Sequence, residues 1–283
     1  MVRFRAKLLD VAGIIHLSRV VATLSKVAKT CVLRLTPDKV FFVLSDRTAQ
    51  ATGMRIWCNL EQGNFFDDYR IEGRDETNQI LLELVTEQLS RALKTALTAA
   101  SVKIKLTNKH TPCLTLEINT QASATRTRSV THDIPATLVP AKLWSDFEEP
   151  PMPRYQVSIC LPALKTLRHA VDRLKNLSNY LILSANNVGN FSLEVETDDV
   201  SVRTQFKDLD NPVVENCPVS EQTGDPEHMV SARVDIRKFG QFLQAQQINP
   251  TRIVCNILEN RAVHCFVLHD DMHLQYFLPV VVR

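Results

Sequence analysis

The chain has few glycines and little net charge. Its 7 glycines are spread over 283 residues, and no two lie closer than ten positions apart. A loop that wraps a nucleotide phosphate needs several glycines close together, and neither GxGxxG nor GxxxxGK followed by Ser or Thr can be written. The 33 Lys and Arg residues barely exceed the 31 Asp and Glu residues, whereas a self-sufficient nucleic-acid-binding domain has a larger basic excess. A nucleic-acid surface would therefore need its basic residues concentrated on one side of the fold.

The seven cysteines form no metal or disulfide pattern. They stand at 31, 58, 113, 160, 217, 255 and 265 without a CxxC pair, and most lie in apolar runs where cysteine acts as a small hydrophobic residue. An odd number without a framework, and alternating charges where a signal peptide would begin, predict a reducing compartment. No apolar run reaches the roughly 18 residues of a membrane helix. We therefore expect an intracellular protein that meets no membrane and needs no metal or cofactor.

Hydrophobic periodicity predicts the same order of elements in both halves of the chain. Each half reads strand, helix, strands, helix, strands, which indicates an architectural repeat with little residue identity. The predicted helices span 10–29 and 86–99, begin at Pro162, and span 235–246. The predicted strands are 4–8, 31–35, 40–45, 54–60, 69–72, 79–84, 102–107, 113–118 and 128–135, then 156–161, 180–185, 191–197, 200–206, 229–234, 252–258, 262–268 and 273–280.

Two segments interrupt the repeat. Residues 136–155 contain four prolines, which predicts a mostly extended linker. Residues 207–228 are polar and contain proline, which predicts a mobile loop. The linker divides the chain into a first domain at 1–135 and a second at 156–283.

The side of the four predicted helices that faces away from the apolar stripe is basic. Apart from the expected N-caps Asp10 and Asp235, only Glu87 and Asp172 oppose these cations. Clustered Lys and Arg neutralise a phosphate backbone without reading its sequence, so the pattern favours a surface facing nucleic acid; ordinary solvated helix faces are the alternative. The basic residues are Arg19, Lys26 and Lys29 on the first helix, Arg91 and Lys94 on the second, Lys165, Arg168, Arg173 and Lys175 on the third, and Arg237 and Lys238 on the fourth.

No group of residues supports catalysis. The segment 269–273 contains metal-capable side chains but lies between two strands, where a polar hairpin turn is the better interpretation. His264 and Cys265 are adjacent in a strand and face opposite sides. His132 and Asp133 are likewise adjacent in a strand and face opposite sides. The sequence also lacks a glycine-flanked serine, as in a nucleophile elbow, that could act with them as a nucleophile. We therefore expect a protein without enzymatic activity.

Six blocks distributed from end to end carry a family resemblance: WCNLEQGNFF (57–66), LELVTEQLSRALKTA (82–96), KIKLTNKHTPCLTLE (103–117), VTHDIP (130–135), DIRKFGQFLQAQQINP (235–250) and LQYFLP (274–279). They resemble the Hus-one subunit family of the heterotrimeric DNA-damage checkpoint sliding clamp, the nine-one-one complex, a relative of proliferating cell nuclear antigen. The resemblance implies an α+β sliding-clamp fold of two similar domains, each with two helices packed on a mainly antiparallel sheet.

The resemblance also implies that three subunits close into a ring. Helices would line its inner wall, which makes the basic residues above DNA-facing candidates, and outer strands would join edge to edge across subunits. The implied edges contain Arg128, Val130, His132 and Ile134 in the first domain and Val200, Val202, Thr204 and Phe206 in the second. The linker resembles the interdomain loop in which clamps receive client peptides, and its candidate residues are Leu138, Val139, Leu143 and Trp144. The alternative is that Trp144 packs the linker against the protein.

The function implied is that of a non-catalytic clamp subunit. Such a subunit is loaded around double-stranded DNA at damage sites, slides without sequence specificity, and acts as a platform for repair and checkpoint-signalling enzymes. Its partners would be two paralogous clamp subunits and a clamp loader, and its location the nucleus or also the cytoplasm. Two alternatives stay open: a homotrimeric replicative processivity clamp, and an enzyme or other module with the same α/β pattern.

Overall fold

The computed structural model describes residues 2–45, 53–73, 76–123, 126–212, 225–270 and 272–281. Two units of structure can be separated. The first is built from Ile56–Glu148 and the N-terminal segment, and the second from Glu149–Asp270 and the C-terminal strand. The predicted order of strand, helix, strands, helix, strands is confirmed in both. Of the predicted loop at 207–228, residues 213–224 lie outside the described residues.

The first unit combines one antiparallel sheet with short helices. Its strands are β1 (Arg3–Leu8), β2 (Thr30–Leu35), β3 (Lys39–Leu44), β4 (Arg55–Glu61), β5 (Asp68–Glu72), β6 (Ile80–Val85), β7 (Ser101–Asn108), β8 (Pro112–Ser123) and β9 (Arg126–Leu138). Its helices are α1 (Val11–Leu24), α2 (Gln62–Phe65), α3 (Thr86–Lys94) and a 3-10 helix at Ala141–Phe147. The strands neighbour one another in the order β4-β3-β2-β6-β9-β8-β7-β1-β5.

One face of this sheet is apolar because side chains alternate along each strand. On β1, Phe4, Ala6 and Leu8 are buried while Arg3 and Arg5 are exposed. The helices α1 and α3 cover the apolar face, and together with five strands they enclose a cavity of about 20 Å³. That volume holds about one water molecule, so the core between helices and sheet is closely packed.

The start of α1 agrees with the sequence, but its end does not. The Asp10 carboxylate accepts hydrogen bonds from the N–H groups of Ala12 (3.3 Å) and Gly13 (2.8 Å), which satisfies donors that the first turn leaves open. The helix ends at Leu24 rather than near residue 29, and turns follow. Thr23 is buried, although its spacing from Arg19 and Lys26 predicts the exposed side of the helix.

The second helix of the first unit is also shorter than predicted. It ends at Lys94 instead of Ala99, and Leu97, whose helical spacing from Leu89 and Leu93 predicts a core position, is 41% exposed. The linker prediction was wrong in part. Residues 136–138 are the end of β9, and 3-10 turns replace extended backbone at Ala141–Phe147.

The second unit contains two sheets. Its strands are β10 (Val157–Cys160), β11 (Tyr180–Ala185), β12 (Phe191–Glu196), β13 (Ser201–Phe206), β14 (Val230–Asp235), β15 (Arg252–Leu258), β16 (Ala262–His269) and β17 (Met272–Leu278). Its helices are α4 (Leu164–Leu174), α5 (Ile236–Phe242) and a 3-10 helix at Leu243–Ile248. One sheet has the order β10-β15-β16-β17 and the other β13-β12-β11-β14.

The helices of the second unit differ from prediction at their ends. Pro162 precedes α4 rather than opening it, because the helix begins at Leu164. The helix predicted over 235–246 divides into α5 and a 3-10 helix, and it ends where Asn249 adopts a left-handed conformation (φ 57°). The capping role of Asp235 is confirmed, since its carboxylate accepts from the backbone N–H groups of Arg237 and Lys238.

No helix in the part of the chain that the structure describes is both long enough and apolar enough to span a membrane.

Candidate DNA-facing helices and strand edges

The three basic residues predicted for the first helix are exposed, but only one lies on it. Arg19 projects from α1 beside the buried Val20 and Val21. Lys26 and Lys29 follow the end of the helix, in the turn that leads to β2. The basic surface of α1 therefore continues into the α1–β2 turn.

On α3, Arg91 and Lys94 are both exposed. Arg91 Nη2 lies 2.5 Å from Glu87 Oε1 one turn earlier, and these side chains are 72% and 63% exposed. An exposed pair of this kind contributes about 0–1 kcal/mol, so an incoming phosphate can compete for Arg91. Lys94 lies in the last turn, where a positive charge interacts favourably with the helix dipole.

Three of the basic residues predicted for the third helix lie on α4, and Lys175 is its C-cap. Lys165, Arg173 and Lys175 are exposed and Arg168 is half-buried. Asp172 accepts a hydrogen bond from Lys175 Nζ (2.6 Å) and lies 3.7 Å from Arg168 Nε. The Lys175 hydrogen bond is the main cause that lowers the pKa of the Asp172 carboxyl, and the nearby positive charges act in the same direction. The ionised Asp172 offsets only part of the positive charge of this face.

At the start of α5, Arg237 is exposed and Lys238 is half-buried. The Asp235 carboxylate fixes the backbone of both residues, with N···O distances of 2.8 and 3.2 Å. All the predicted basic residues therefore reach the surface of their own unit, where Glu87 pairs with Arg91 and Asp172 pairs with Arg168 and Lys175.

Both strands predicted as subunit edges have an open side. β13 is the terminal strand of its sheet. β9 pairs with β8 along most of its length, and with β6 only over Ala136–Leu138. Within the described residues, no second strand pairs with the rest of β9, so both predicted edges have main-chain groups available for another strand.

The hydrogen bonds identify which residues of β9 present these groups. Val139 directly follows β9, and its N–H donates to the carbonyl of Leu81 in β6. Main-chain groups alternate between the two sides of an antiparallel strand. Ser129, Thr131 and Asp133 therefore direct theirs toward the open side.

The same reasoning applies to β13. The Thr197 N–H donates to the Val200 carbonyl (2.9 Å) across the hairpin turn, which makes these two a hydrogen-bonded pair. Ser201, Arg203 and Gln205 then direct their main-chain groups away from β12. On both strands the sequence prediction named the residues that lie between these. Their main-chain groups form hydrogen bonds with the neighbouring strand, β8 or β12, and do not point to the open side. For β13, the two-residue turn at 198–199 is the sequence signal that would have shown which residues point away from β12.

The side chains of the predicted edge residues differ in exposure. Ile134 is buried (3% exposed), and Val200 belongs to the turn before β13. Arg128 is exposed, and His132 is half-buried with Nε2 2.9 Å from Thr95 Oγ1. Val202, Thr204 and Phe206 are half-buried on β13.

The four predicted client-binding residues do not form one exposed loop. Leu138 pairs with Leu82 in the sheet, and Val139 is 9% exposed. Leu143 and Trp144 are half-buried in the 3-10 helix, and the Trp144 indole N–H donates to the Val139 carbonyl (3.1 Å). This contact favours the alternative that Trp144 packs the linker down.

His132 and Asp133 face opposite sides of the sheet. His132 contacts Thr95 on the helix side of the sheet, while Asp133 accepts from Thr115 (2.6 Å) and Lys109 on the other. The described residues contain no group of three His, Cys, Asp or Glu side chains that could hold a metal ion. Of the predicted turn at 269–273, His269 is the last residue of β16, Met272 and His273 begin β17, and residue 271 lies outside the described part.

Comparison with known proteins adds relatives along the whole chain. A family model described as Hus1-like protein matches residues 2–282. Checkpoint protein HUS1 of Homo sapiens is 48% identical over 283 residues, with 99% of each chain covered. Checkpoint protein hus1 of Schizosaccharomyces pombe is 30% identical over 276 residues, covering 95% of this chain and 93% of its own length. The Dictyostelium discoideum checkpoint protein hus1 homolog is 29% identical, with 99% of both covered.

A solved structure shares the fold. Proliferating cellular nuclear antigen from Entamoeba histolytica superimposes with a TM-score of 0.72 over 100% of both chains. Its sequence identity is 11%, so the likeness concerns the fold alone. The predicted α+β sliding-clamp fold is confirmed.

Proposed function

The chain belongs to the Hus1-like protein family, and on this premise we propose that it is a non-catalytic subunit of a ring-shaped, heterotrimeric checkpoint clamp. The clamp is loaded around double-stranded DNA at sites of damage, slides along it, and serves as a platform for repair and checkpoint-signalling enzymes. The observation that carries the proposal is the excess of exposed basic side chains on and beside the helices of a sliding-clamp fold.

The electrostatics of these helices suit sliding. A closed ring stays on DNA because it encircles it, so tight contacts are unnecessary. Arg91 and Lys175 form exposed ion pairs that a phosphate can exchange at little cost. Such contacts neutralise phosphate charge without reading bases, which supports binding that is independent of sequence and easily relocated.

Assembly of the ring uses the two open strands. We propose that β9 of one subunit pairs with the β13-type edge of its neighbour through main-chain hydrogen bonds, a recognised mode of strand addition. Ser129, Thr131 and Asp133 would supply one edge, and Ser201, Arg203 and Gln205 the other. The two partners are paralogous clamp subunits, and a clamp loader closes the ring on DNA. We further propose a nuclear location, with a cytoplasmic pool before assembly.

The native mass of the purified chain tests the assembly. Alone, we expect a monomer of 32.0 kDa, and with both paralogous subunits of the same species a single 1:1:1 species, measured by light scattering after size exclusion. A homotrimer formed by this chain alone would contradict the heterotrimer and support a replicative-type clamp. A monomer that combines with neither subunit would contradict both forms of the proposal.

A further inference from the structure

A compact group of basic side chains lies on the first unit's sheet, on the face opposite the helices. Strand pairing places Arg70, Arg5 and Lys105 side by side across β5, β1 and β7, and Lys7 beside Lys103 in the neighbouring row. These side chains alternate with the buried Phe4, Ala6 and Leu8, so they leave the sheet on its solvent side. We call Arg5, Lys7, Arg70, Lys103 and Lys105 the basic block.

Two carboxylates pair with part of the block. Asp68 lies 3.7 Å from Arg5 Nε and 3.1 Å from Arg70 Nε. Glu117 accepts a hydrogen bond from Lys105, which is the main cause that lowers the pKa of its carboxyl. Five cations therefore share two acids, and the block keeps an excess of positive charge.

Lys7 and Lys103 carry most of that excess. They face each other directly across β1 and β7, with Asp68 opposite Lys7 on β5 and Glu117 opposite Lys103 on β8, and within the described residues neither lysine forms an ion pair. Like charges directly opposite on paired strands are destabilising. Arg5 and Lys105 repeat the arrangement one row away.

We propose that the basic block binds an acidic peptide segment whose carboxylate or phosphate groups stand two residues apart. Alternate residues of a strand are about 6.7 Å apart, so the two rows of cations match the i and i+2 side chains of an extended peptide. Arg5 and Arg70 add guanidinium groups, which form bidentate hydrogen bonds with carboxylate and phosphate groups. The site is independent of ring formation, since it lies within one unit on the face away from the helices.

Peptide fits this surface better than duplex DNA. The block spans three strands, about 10 Å from β5 to β7. Acids border it on both sides: Glu72 on β5, next to Arg3, and Asp133 on β9, next to Lys109. A phosphate backbone running on past the block would meet these carboxylates, whereas a short acidic segment ends before them.

The test uses the full chain and a fluorescein-labelled ten-residue peptide with phosphoserines at positions i and i+2, the remaining residues being Thr and Gly. Fluorescence anisotropy in 0.1 M salt should detect binding that weakens with added salt. The Lys7→Gln/Lys103→Gln variant should bind about tenfold more weakly or worse, because it removes the unpaired charge. The same peptide with unmodified serines should not bind.

Two control variants make the outcome decisive. Lys7→Arg/Lys103→Arg keeps the charge and should keep the affinity. Lys94→Gln/Lys165→Gln removes the same charge from the helices and should leave peptide binding unchanged. The Lys7→Gln/Lys103→Gln variant should also melt no lower than the wild type, because a like-charge pair is gone. The proposal is overturned by no binding to the wild type, by equal losses in both Gln variants, or by a 20-base-pair duplex that binds through Lys7 and Lys103 in place of the peptide.

Discussion

His264 on β16 is an ionisable side chain enclosed by aromatic rings. The Phe277 ring stacks on it at 4.5 Å between centroids, the Phe266 ring meets it edge-on at 4.6 Å, and Tyr155 lies at 5.8 Å. Burial lowers the pKa of His264 to about 3. A protonated imidazole here would lose its hydration without a carboxylate to replace it, so the folded chain holds this residue neutral.

The neutral state of His264 makes stability depend on pH. In the unfolded chain its pKa is about 6.5, and the folded-state pKa lies below that value. Its contribution is therefore complete above pH 6.5 and is lost as the pH falls toward 3. Between pH 7 and pH 5 this residue alone should lower the free energy of unfolding by about 2 kcal/mol. Urea denaturation at the two pH values measures the loss.

His264→Phe isolates this effect, because it keeps an aromatic ring in the same enclosure. The variant should lose less stability than the wild type between pH 7 and pH 5. His110→Phe, at an exposed position, is the matched control and should behave as the wild type does. Equal losses in the wild type and in His264→Phe would mean that other groups set the acid sensitivity.

At the scale of elements, local signals predicted the strands well and the helix ends poorly. Strict alternation on β1 and β7 has no competing interpretation, and Asp10 and Asp235 mark helix starts through their own hydrogen bonds. The end of α1 gives no such signal, because neither glycine nor proline follows Leu24. The turn after it is fixed by Val27 and Ala28, which pack into the core.

The strand edges show a different limit of sequence reasoning. Alternation predicts which side chains share a face, but it does not say which main-chain groups point to which neighbour. That choice depends on long-range pairing, such as Val139 with Leu81, and on the hairpin that joins Thr197 to Val200. The basic block escaped prediction for the same reason, since Arg5 and Lys105 become neighbours only when β1 pairs with β7.

The basic helix faces can be tested by reversing charge on α3 and α4. Lys94→Glu/Lys165→Glu/Arg168→Glu should reduce loading onto DNA about tenfold or more, because repulsion replaces attraction to phosphate. Loading is measured on nicked plasmid with the two partner subunits and the clamp loader, together with the DNA-stimulated ATPase of the loader. The native mass of the trimer should not change.

A matched triple reversal away from the helices separates position from net charge. Lys142→Glu/Arg154→Glu/Arg261→Glu changes three other exposed residues by the same charge and should load nearly as well as the wild type. If both triple variants lost loading equally, overall charge rather than the helix faces would govern it. Unchanged loading in the helix variant would refute the assignment of these residues to DNA.

At the scale of the whole molecule, the proposed DNA binding is compatible with a small net charge because the charges are sorted onto different surfaces. The helix residues and the basic block are rich in Lys and Arg, yet the formal net charge is +2, so the rest of the chain is acidic on balance. Composition therefore excluded only a uniformly basic protein. A ring that is held by encirclement needs positive charge where it meets DNA, and its remaining surface can stay acidic and soluble.

In the proposed ring, closure depends on main-chain groups, so a proline substitution tests it directly. Gln205 is exposed on β13, and its N–H faces away from β12. Gln205→Pro removes one edge donor and leaves the β12–β13 ladder intact. The variant should stay a folded monomer but lose the 1:1:1 species in light scattering, while Gln205→Ala, which keeps the N–H, should assemble normally. Full assembly of Gln205→Pro would show that the subunits join by another surface.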